Sequence, residues 1–381
     1  MRERVVAVPR LPARWLLGRR RTWSSPRRRL GALAWLIVAS LALVGCGGGV
    51  VTVGGQPGGT GMLVGAGASL PAPLYQRWAA DYRQRTGGQV NYQAIGSGGG
   101  VQQLIARTVD FGASDAPMTD DELARARSQV LHIPTVLGAV VVAYNLPGRP
   151  AGLRLRPAVV AGIFLGRITR WNDPAITADN PGVALPAMVI SVVHRADGSG
   201  TTSIFTTWLS STNPEWHGRV GAGKEVEWPT GIGAKGNEGV TAFVRQIPGA
   251  IGYVELAYAR HNGLPVAAIG NRAGRFVLPE PQAVTAAAAG ATIPDDLRFW
   301  LVDAPGAQAY PIAGATWLLV YTQQGDRAKG KALAEFLWWA VHDGQALAPP
   351  LLYAALPPSL IAGAERKIRS ITWPGKPAGM S

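Results

Sequence analysis

Residues 188–210, MVISVVHRADGSGTTSIFTTWLS, run from an apolar, β-branched stretch through a glycine turn into a segment with one apolar helical face. The stretch 188–193 has the composition of a buried strand. After Asp197-Gly198-Ser199-Gly200-Thr201-Thr202, residues Ile204, Phe205, Trp208 and Leu209 recur at the three- and four-residue spacing of a helix. Strand, glycine turn and helix form the repeating unit of an α/β fold, and the chain repeats that alternation on both sides. Strands are expected at 62–64, 91–95, 109–112, 137–145, 250–254 and 317–321. Helices are expected at 101–107, at 118–127 behind a Thr119/Glu122 capping box, and at 330–342. The Pro-rich stretch after Ala348 reads as loop.

The device at 197–202 occurs twice more. GAGASLP, residues 65–71, leads into a face of Leu74, Trp78 and Tyr82, with Tyr75 and Ala79 alongside. GSGGG, residues 96–100, leads into Val101, Leu104 and Ile105. Glycine lets backbone approach a ligand closely, and the free N–H groups of a first helical turn, backed by the helix dipole, attract an anion. Any one of these turns reads most simply as a Ser or Thr helix cap. Three of them, each crowding glycine around a hydroxyl, point to an anion pocket.

Two charged residues stand beside these turns. Arg195, at the lip of the third, has the planar donor fork that pairs with an oxyanion, or it is a surface arginine paired with Asp197. Asp115 follows Phe111-Gly112-Ala113-Ser114 at a strand end, where open α/β sheets bind ligands. A carboxylate in an anion site makes sense when the ligand carries a proton for it to accept. Phosphate does, and fully ionised sulfate does not.

The net charge of +14 does not mark a nucleic-acid surface. Residues 1–45 hold ten Arg and one acid, Glu3, which leaves only +5 for the rest. Arg27-Arg28-Arg29, the apolar run 30–45 and then Cys46 read as an export signal. Leu43-Val44-Gly45-Cys46 resembles the lipobox of bacterial lipoproteins, in which the cysteine is lipidated; an uncleaved anchor with an incidental cysteine is the alternative. Residues 46–61 are Gly-rich and almost uncharged, as in a flexible tether. With one cysteine in the chain, neither a disulfide framework nor a multi-cysteine metal site is possible. No metal or cofactor is expected.

The segments GAGASLPAPLYQRW (65–78), IGSGGGVQQL (95–104), VDFGASDAP (109–117), HRADGSGTTSIFTTWLS (194–210) and GNEGVTAFVRQIPGAIGYVELAYA (236–259) occur in one order along the chain. Together they resemble the phosphate-specific substrate-binding proteins of ABC transporters, from about residue 63 to 358. That resemblance implies a type II periplasmic-binding-protein fold, two α/β lobes joined by hinge strands that close over one phosphate. It implies a first lobe of 62–136 plus 309–381 and a second of 137–308, with crossings near Pro134-Thr135 and Tyr310-Pro311. By motif it places phosphate on Ser69, Leu70, Ser97, Asp115, Arg195, Ser199, Gly200 and Thr201, with Asp197 holding Arg195. Relatives often carry Thr and Phe where this chain has Ser69 and Leu70. Serine keeps the hydroxyl, and leucine still offers a backbone N–H. The implied partners are inorganic phosphate and a membrane permease driven by a cytoplasmic ATPase. The implied protein is a monomer outside the cytoplasmic membrane.

Other readings remain in view. A hydrolase needs Ser69 or Ser199 beside a histidine base, but the five histidines (His132, His194, His217, His261 and His342) stand in no motif relation to either. No GxSxG, Walker A or HExxH pattern is present. A binding protein for another oxyanion, such as sulfate, molybdate or phosphonate, differs by what faces Asp115. A structural or adhesion lipoprotein would keep the fold without transport.

Overall fold

The computed structural model describes residues 61–148 and 152–376. Twelve strands lie among them: β1 (Leu63–Gly67), β2 (Val90–Ala94), β3 (Phe111–Ser114), β4 (Val130–Tyr144), β5 (Arg154–Leu155), β6 (Ser191–Arg195), β7 (Ile232–Ala234), β8 (Ala250–Glu255), β9 (Ala268–Gly270), β10 (Phe276–Val277), β11 (Leu301–Val302) and β12 (Ile312–Tyr321). The main sheet runs β2-β1-β3-β12-β4-β8-β6-β7, with β11 alongside β12, and β10-β9-β5 form a small second sheet. At either end of the main sheet sits a parallel triplet, β2-β1-β3 and β8-β6-β7. The long strands β4 and β12, antiparallel to each other, join the two.

Strand β4 explains how one sheet serves two halves. Its residues up to Ala139 pair with β12, and from Val140 to Tyr144 they pair with β8. The sequence VLHIPTVLGAVVVAY is buried from Leu131 onward, as expected of a strand covered on both faces. It starts seven residues earlier than its β-branched core at 137–145 suggested. Pro134 lacks an N–H for the ladder, and proline inside a sheet is confined to edges and bulges. Here the register slips opposite it, between Thr316 and Trp317. Thr135, the extra residue in that slip, donates its hydroxyl to the Thr316 carbonyl at 3.0 Å.

The helices fill in around this frame. Helix Ala72–Thr86 buries Leu74, Tyr75, Trp78 and Tyr82, while Gly200–Thr212 buries Ile204, Phe205, Trp208 and Leu209. The capping box at Thr119 and Glu122 closes both ways ahead of Asp120–Ala126. The expected helix 101–107 begins earlier, at Ser97, so the glycines Gly98–Gly100 form its first turn instead of preceding it. Gly100 permits this: a Cβ there would lie 2.5 Å from Gly67 Cα and 2.6 Å from the Ala66 carbonyl oxygen, so only glycine lets the helix press onto β1. The stretch after Ala348 is a loop only in part, because Pro358–Arg369 is a helix. Pro358 sits in its first turn, where no N–H is missed, and Leu360, Ala364 and Ile368, four apart, supply the buried face. The expected signal, Cys46 and tether lie outside the described residues.

Candidate functional site

The strand ends of the two triplets meet. From β1 the chain reaches Ser69 and Leu70, and from β3 it reaches Asp115. Strand β6 ends in Arg195 and leads to 197–201, while β7 leads to Gly236 and Asn237. Ser97 opens the helix that follows β2. One contact between the two sides is made by backbone: the Gly98 N–H donates to the Gly198 carbonyl at 2.8 Å. Gly200 packs so closely that a Cβ on it would lie 2.5 Å from Ser97 Oγ and 2.6 Å from Asp115 Cβ.

The polar groups form two connected sets. In the first, Asp115 is 1 % exposed; its Oδ1 accepts from Thr316 Oγ1 at 2.7 Å and its N–H donates to Ser97 Oγ at 3.2 Å. Burial pushes the Asp115 carboxyl up to about 7; the Thr316 bond, the Arg195 charge and Ser97 oppose that rise and only partly offset it. In the second set, Arg195 Nε and Nη2 donate to the two oxygens of Asp197 at 2.7 and 2.5 Å, and Nη1 reaches Thr201 Oγ1 at 3.4 Å. Burial works against the Arg195 charge, but the Asp197 bonds and charge hold its pKa above the ordinary value. Burial likewise opposes the Asp197 charge, and Arg195 outweighs it, helped by the Gly236 N–H at 3.0 Å. Asp197 therefore stays ionised.

Asn237 ties the second set to Ser69. Its Nδ2 donates to Ser69 Oγ at 2.9 Å and to Thr201 Oγ1 at 3.2 Å, and its backbone N–H reaches Ser69 Oγ at 3.3 Å. Tyr258 hydroxyl donates to the Ser69 carbonyl at 2.8 Å.

The structure thus brings Ser69, Ser97, Asp115, Arg195, Asp197, Gly200 and Thr201 to one place. Ser199 stands among them with its Oγ accepting from Thr202 N–H at 3.0 Å, so it caps helix Gly200–Thr212. Ser69 and Ser97 make no such cap at their helices. The Leu70 side chain is buried, and its carbonyl accepts from Tyr353 hydroxyl at 2.8 Å. Sequence reasoning missed Asn237 and Thr316. Asn237 sits in a fourth glycine turn, Lys235-Gly236-Asn237, that opens helix Gly236–Gln246 and carries no Ser or Thr. Thr316 lies within the apolar run of β12, where nothing marks it.

The histidines stand apart from these serines. His132 is buried and accepts from the Met118 N–H at 3.0 Å; burial lowers its pKa to about 3. The His194 ring stacks on Trp228 with centroids 4.8 Å apart. Chemically, the cluster offers several hydroxyl donors, one guanidinium and one carboxylate, Asp115, that is not already paired with a cation as Asp197 is. It suits a small oxyanion that carries a proton.

Residues 54–343 match the PBP superfamily domain. Over 302 residues the chain is 45 % identical to the phosphate-binding protein PstS of Xylella fastidiosa, covering 78 % of this chain and 82 % of that one. It is 43 % identical over 317 residues to PstS of Haemophilus influenzae, covering 82 % and 94 % of the two chains. Among solved structures, a phosphate-binding protein from Stenotrophomonas maltophilia superposes with a TM-score of 0.63 at 21 % identity, over 80 % of this chain and 93 % of that one. A periplasmic phosphate-binding protein solved with phosphate gives a TM-score of 0.66 at 22 % identity and the same coverage, a likeness of fold. These neighbours have the two-lobed fold expected from the motifs, and the chain belongs to the PBP superfamily, in the family of the PstS proteins.

Proposed function

We propose that this chain is an extracytoplasmic solute-binding protein that captures inorganic phosphate in its cleft and delivers it to an ABC-type importer. The reading is carried by the meeting of one buried carboxylate, poised near pH 7, with a buried guanidinium among hydroxyl donors. Phosphate near neutral pH carries one or two protons. Ionised Asp115 accepts one of them, while Arg195, Ser69, Ser97 and Thr201 donate to the remaining oxygens. The N–H groups of Leu70 and Gly200 complete the donor set, and Ser199, whose N–H is taken by the Lys224 carbonyl at 2.9 Å, has its hydroxyl proton to offer. Sulfate brings no proton and meets the carboxylate unpaired, which costs it several kcal/mol, about a thousandfold in affinity. Binding, not catalysis, is the activity, and the relatives are named as binding proteins.

In this reading, residues 62–136 with 309–381 form one lobe and 137–308 the other. Ser69, Ser97 and Asp115 then face Arg195 and 199–201 across the cleft, and the phosphate bridges them. Binding and closure are linked, since only the closed form brings both sets to the ligand. The lipobox-like LVGC and the Gly-rich tether support a lipid anchor on Cys46 that holds a monomer at the outer side of the membrane. There it meets a permease with its cytoplasmic ATPase. No helix among the described residues is long and apolar enough to cross a membrane.

Calorimetric titration of the purified chain with phosphate and with sulfate tests the reading. Tight phosphate binding with little heat from sulfate is expected. Comparable affinity for the two ions would remove the role given to Asp115.

A further inference from the structure

Asn237 is fully buried, in the first turn of helix Gly236–Gln246, which follows β7. Its amide orientation is fixed by chemistry. Oδ1 accepts from the Glu255 backbone N–H at 2.9 Å, and that group can only donate. Nδ2, a donor only, must then face Ser69 Oγ at 2.9 Å and Thr201 Oγ1 at 3.2 Å. Each hydroxyl has one proton and two lone pairs. Ser69 Oγ accepts a second time from the Asn237 N–H at 3.3 Å, and Thr201 Oγ1 from Arg195 Nη1 at 3.4 Å. With both lone pairs engaged, each hydroxyl has only its proton left to offer.

We propose that Asn237 is a positioning residue that sets the direction of the Ser69 and Thr201 hydroxyl protons, so that both face the bound oxyanion as donors. This rests on the phosphate reading above. It requires no contact between Asn237 and the ligand. With Asp197 occupied by Arg195, two hydroxyls that would otherwise rotate to accept are locked as donors, which leaves the discrimination to Asp115. The same helix start serves the cation, since Gly236 N–H holds Asp197 and Asp197 holds Arg195.

The test is a double-mutant cycle read by phosphate calorimetry. Asn237→Asp replaces the amide donor by a carboxylate that accepts from both hydroxyls and turns their protons away from the ligand. It is expected to weaken phosphate about tenfold or more. In the Ser69→Ala/Thr201→Val background the same substitution should cost severalfold less, because no hydroxyl protons remain to misdirect. The repulsion of the added charge is common to both backgrounds and cancels. An equal loss in both overturns the proposal, since a merely structural or charge effect has no reason to depend on the hydroxyls. Should Asn237→Asp fail to fold, Asn237→Ala is carried through the same cycle with the same criterion. A wild-type chain that binds no phosphate overturns the phosphate reading itself, and the proposal with it.

Discussion

The end of β3 and the end of β6 each place a carboxylate at the cleft, and the two carboxylates behave oppositely. Asp115, at the end of β3, has its pKa pushed up to about 7, whereas Asp197, beyond β6, has its pKa lowered. Both lose water on burial. The difference lies in what replaces it: Asp115 receives neutral hydroxyls from Thr316 and Ser97, while Asp197 receives both arms of a guanidinium. A neutral hydroxyl returns only part of the hydration free energy that a carboxylate gives up, and a charge-assisted bidentate pair returns more. One strand end thus has a carboxylate whose proton is negotiable, and the other has a charge pair whose protons are fixed.

The sharpest way to break this contrast is Arg195→Ala. It removes the cation, strands Asp197 half-buried and takes from Asp115 the charge that restrains its pKa. Losing one partner of a buried charge pair costs about 2–5 kcal/mol, so phosphate affinity should fall about a thousandfold by calorimetry. Affinity within tenfold of the parent would mean that the end of β6 is not the cationic side of the site. Gly200→Ala comes next. Its Cβ, forced to within 2.5 Å of Ser97 Oγ and 2.6 Å of Asp115 Cβ, wedges the two strand ends apart and should cost about a hundredfold, again by titration. Unchanged binding would show that the two ends need not touch.

Asp115→Asn tests the other side. The amide keeps the size but not the charge, so phosphate should weaken only about tenfold while sulfate gains affinity toward it, read as the ratio of the two dissociation constants. A ratio that stays put would relieve Asp115 of selectivity. The smallest effect is that of pH. Because the folded pKa lies above the ordinary carboxylate value, the stability linked to Asp115 is full below about pH 4. It is lost as pH rises through about 7. The unliganded chain should lose thermal stability across that window, and Asp115→Asn should flatten the loss. In the same window, protonated Asp115 can donate to sulfate, so the sulfate-to-phosphate affinity ratio should be larger at pH 5 than at pH 8. A ratio independent of pH would place the titration elsewhere.

Much of the architecture was legible because glycine turns and β-branched runs are local signals. The strand expected at 250–254 is β8, and the helical face of Ile204, Phe205, Trp208 and Leu209 lies in the core. What was hidden depends on contacts distant in sequence. The early start of β4 past Pro134 needs the register slip on β12, which no window around residue 134 can show. Thr316 reads as one more β-branched strand residue until Asp115, 201 positions earlier, comes within 2.7 Å of it. Asn237 is an ordinary polar residue after a glycine until Ser69, 168 positions away, folds against it. The helix Pro358–Arg369 was obscured by its prolines, which read as breakers although one of them opens the helix.

The backbone contact between Gly98 and Gly198 has a consequence for how this sequence can change. Where side chains meet, a substitution can be absorbed by a rotamer, and mutations can accumulate one at a time through tolerable intermediates. A Cβ on Gly98 would lie 3.0 Å from Gly198 Cα, and one on Gly198 would lie 3.1 Å from Gly98 Cα and 3.0 Å from Glu225 Oε1; the side chain can move aside, but the facing main chain has little freedom to yield. Neither position has a nearby larger residue to drift through, and neither can compensate the other. The exposed ion pairs of Glu215 with Arg167 and Arg219, by contrast, are free to vary. A library of random single variants screened for phosphate capture should therefore show gaps at Gly98 and Gly198, two glycines that carry no chemistry of their own, as well as at the more tightly packed Gly100 and Gly200.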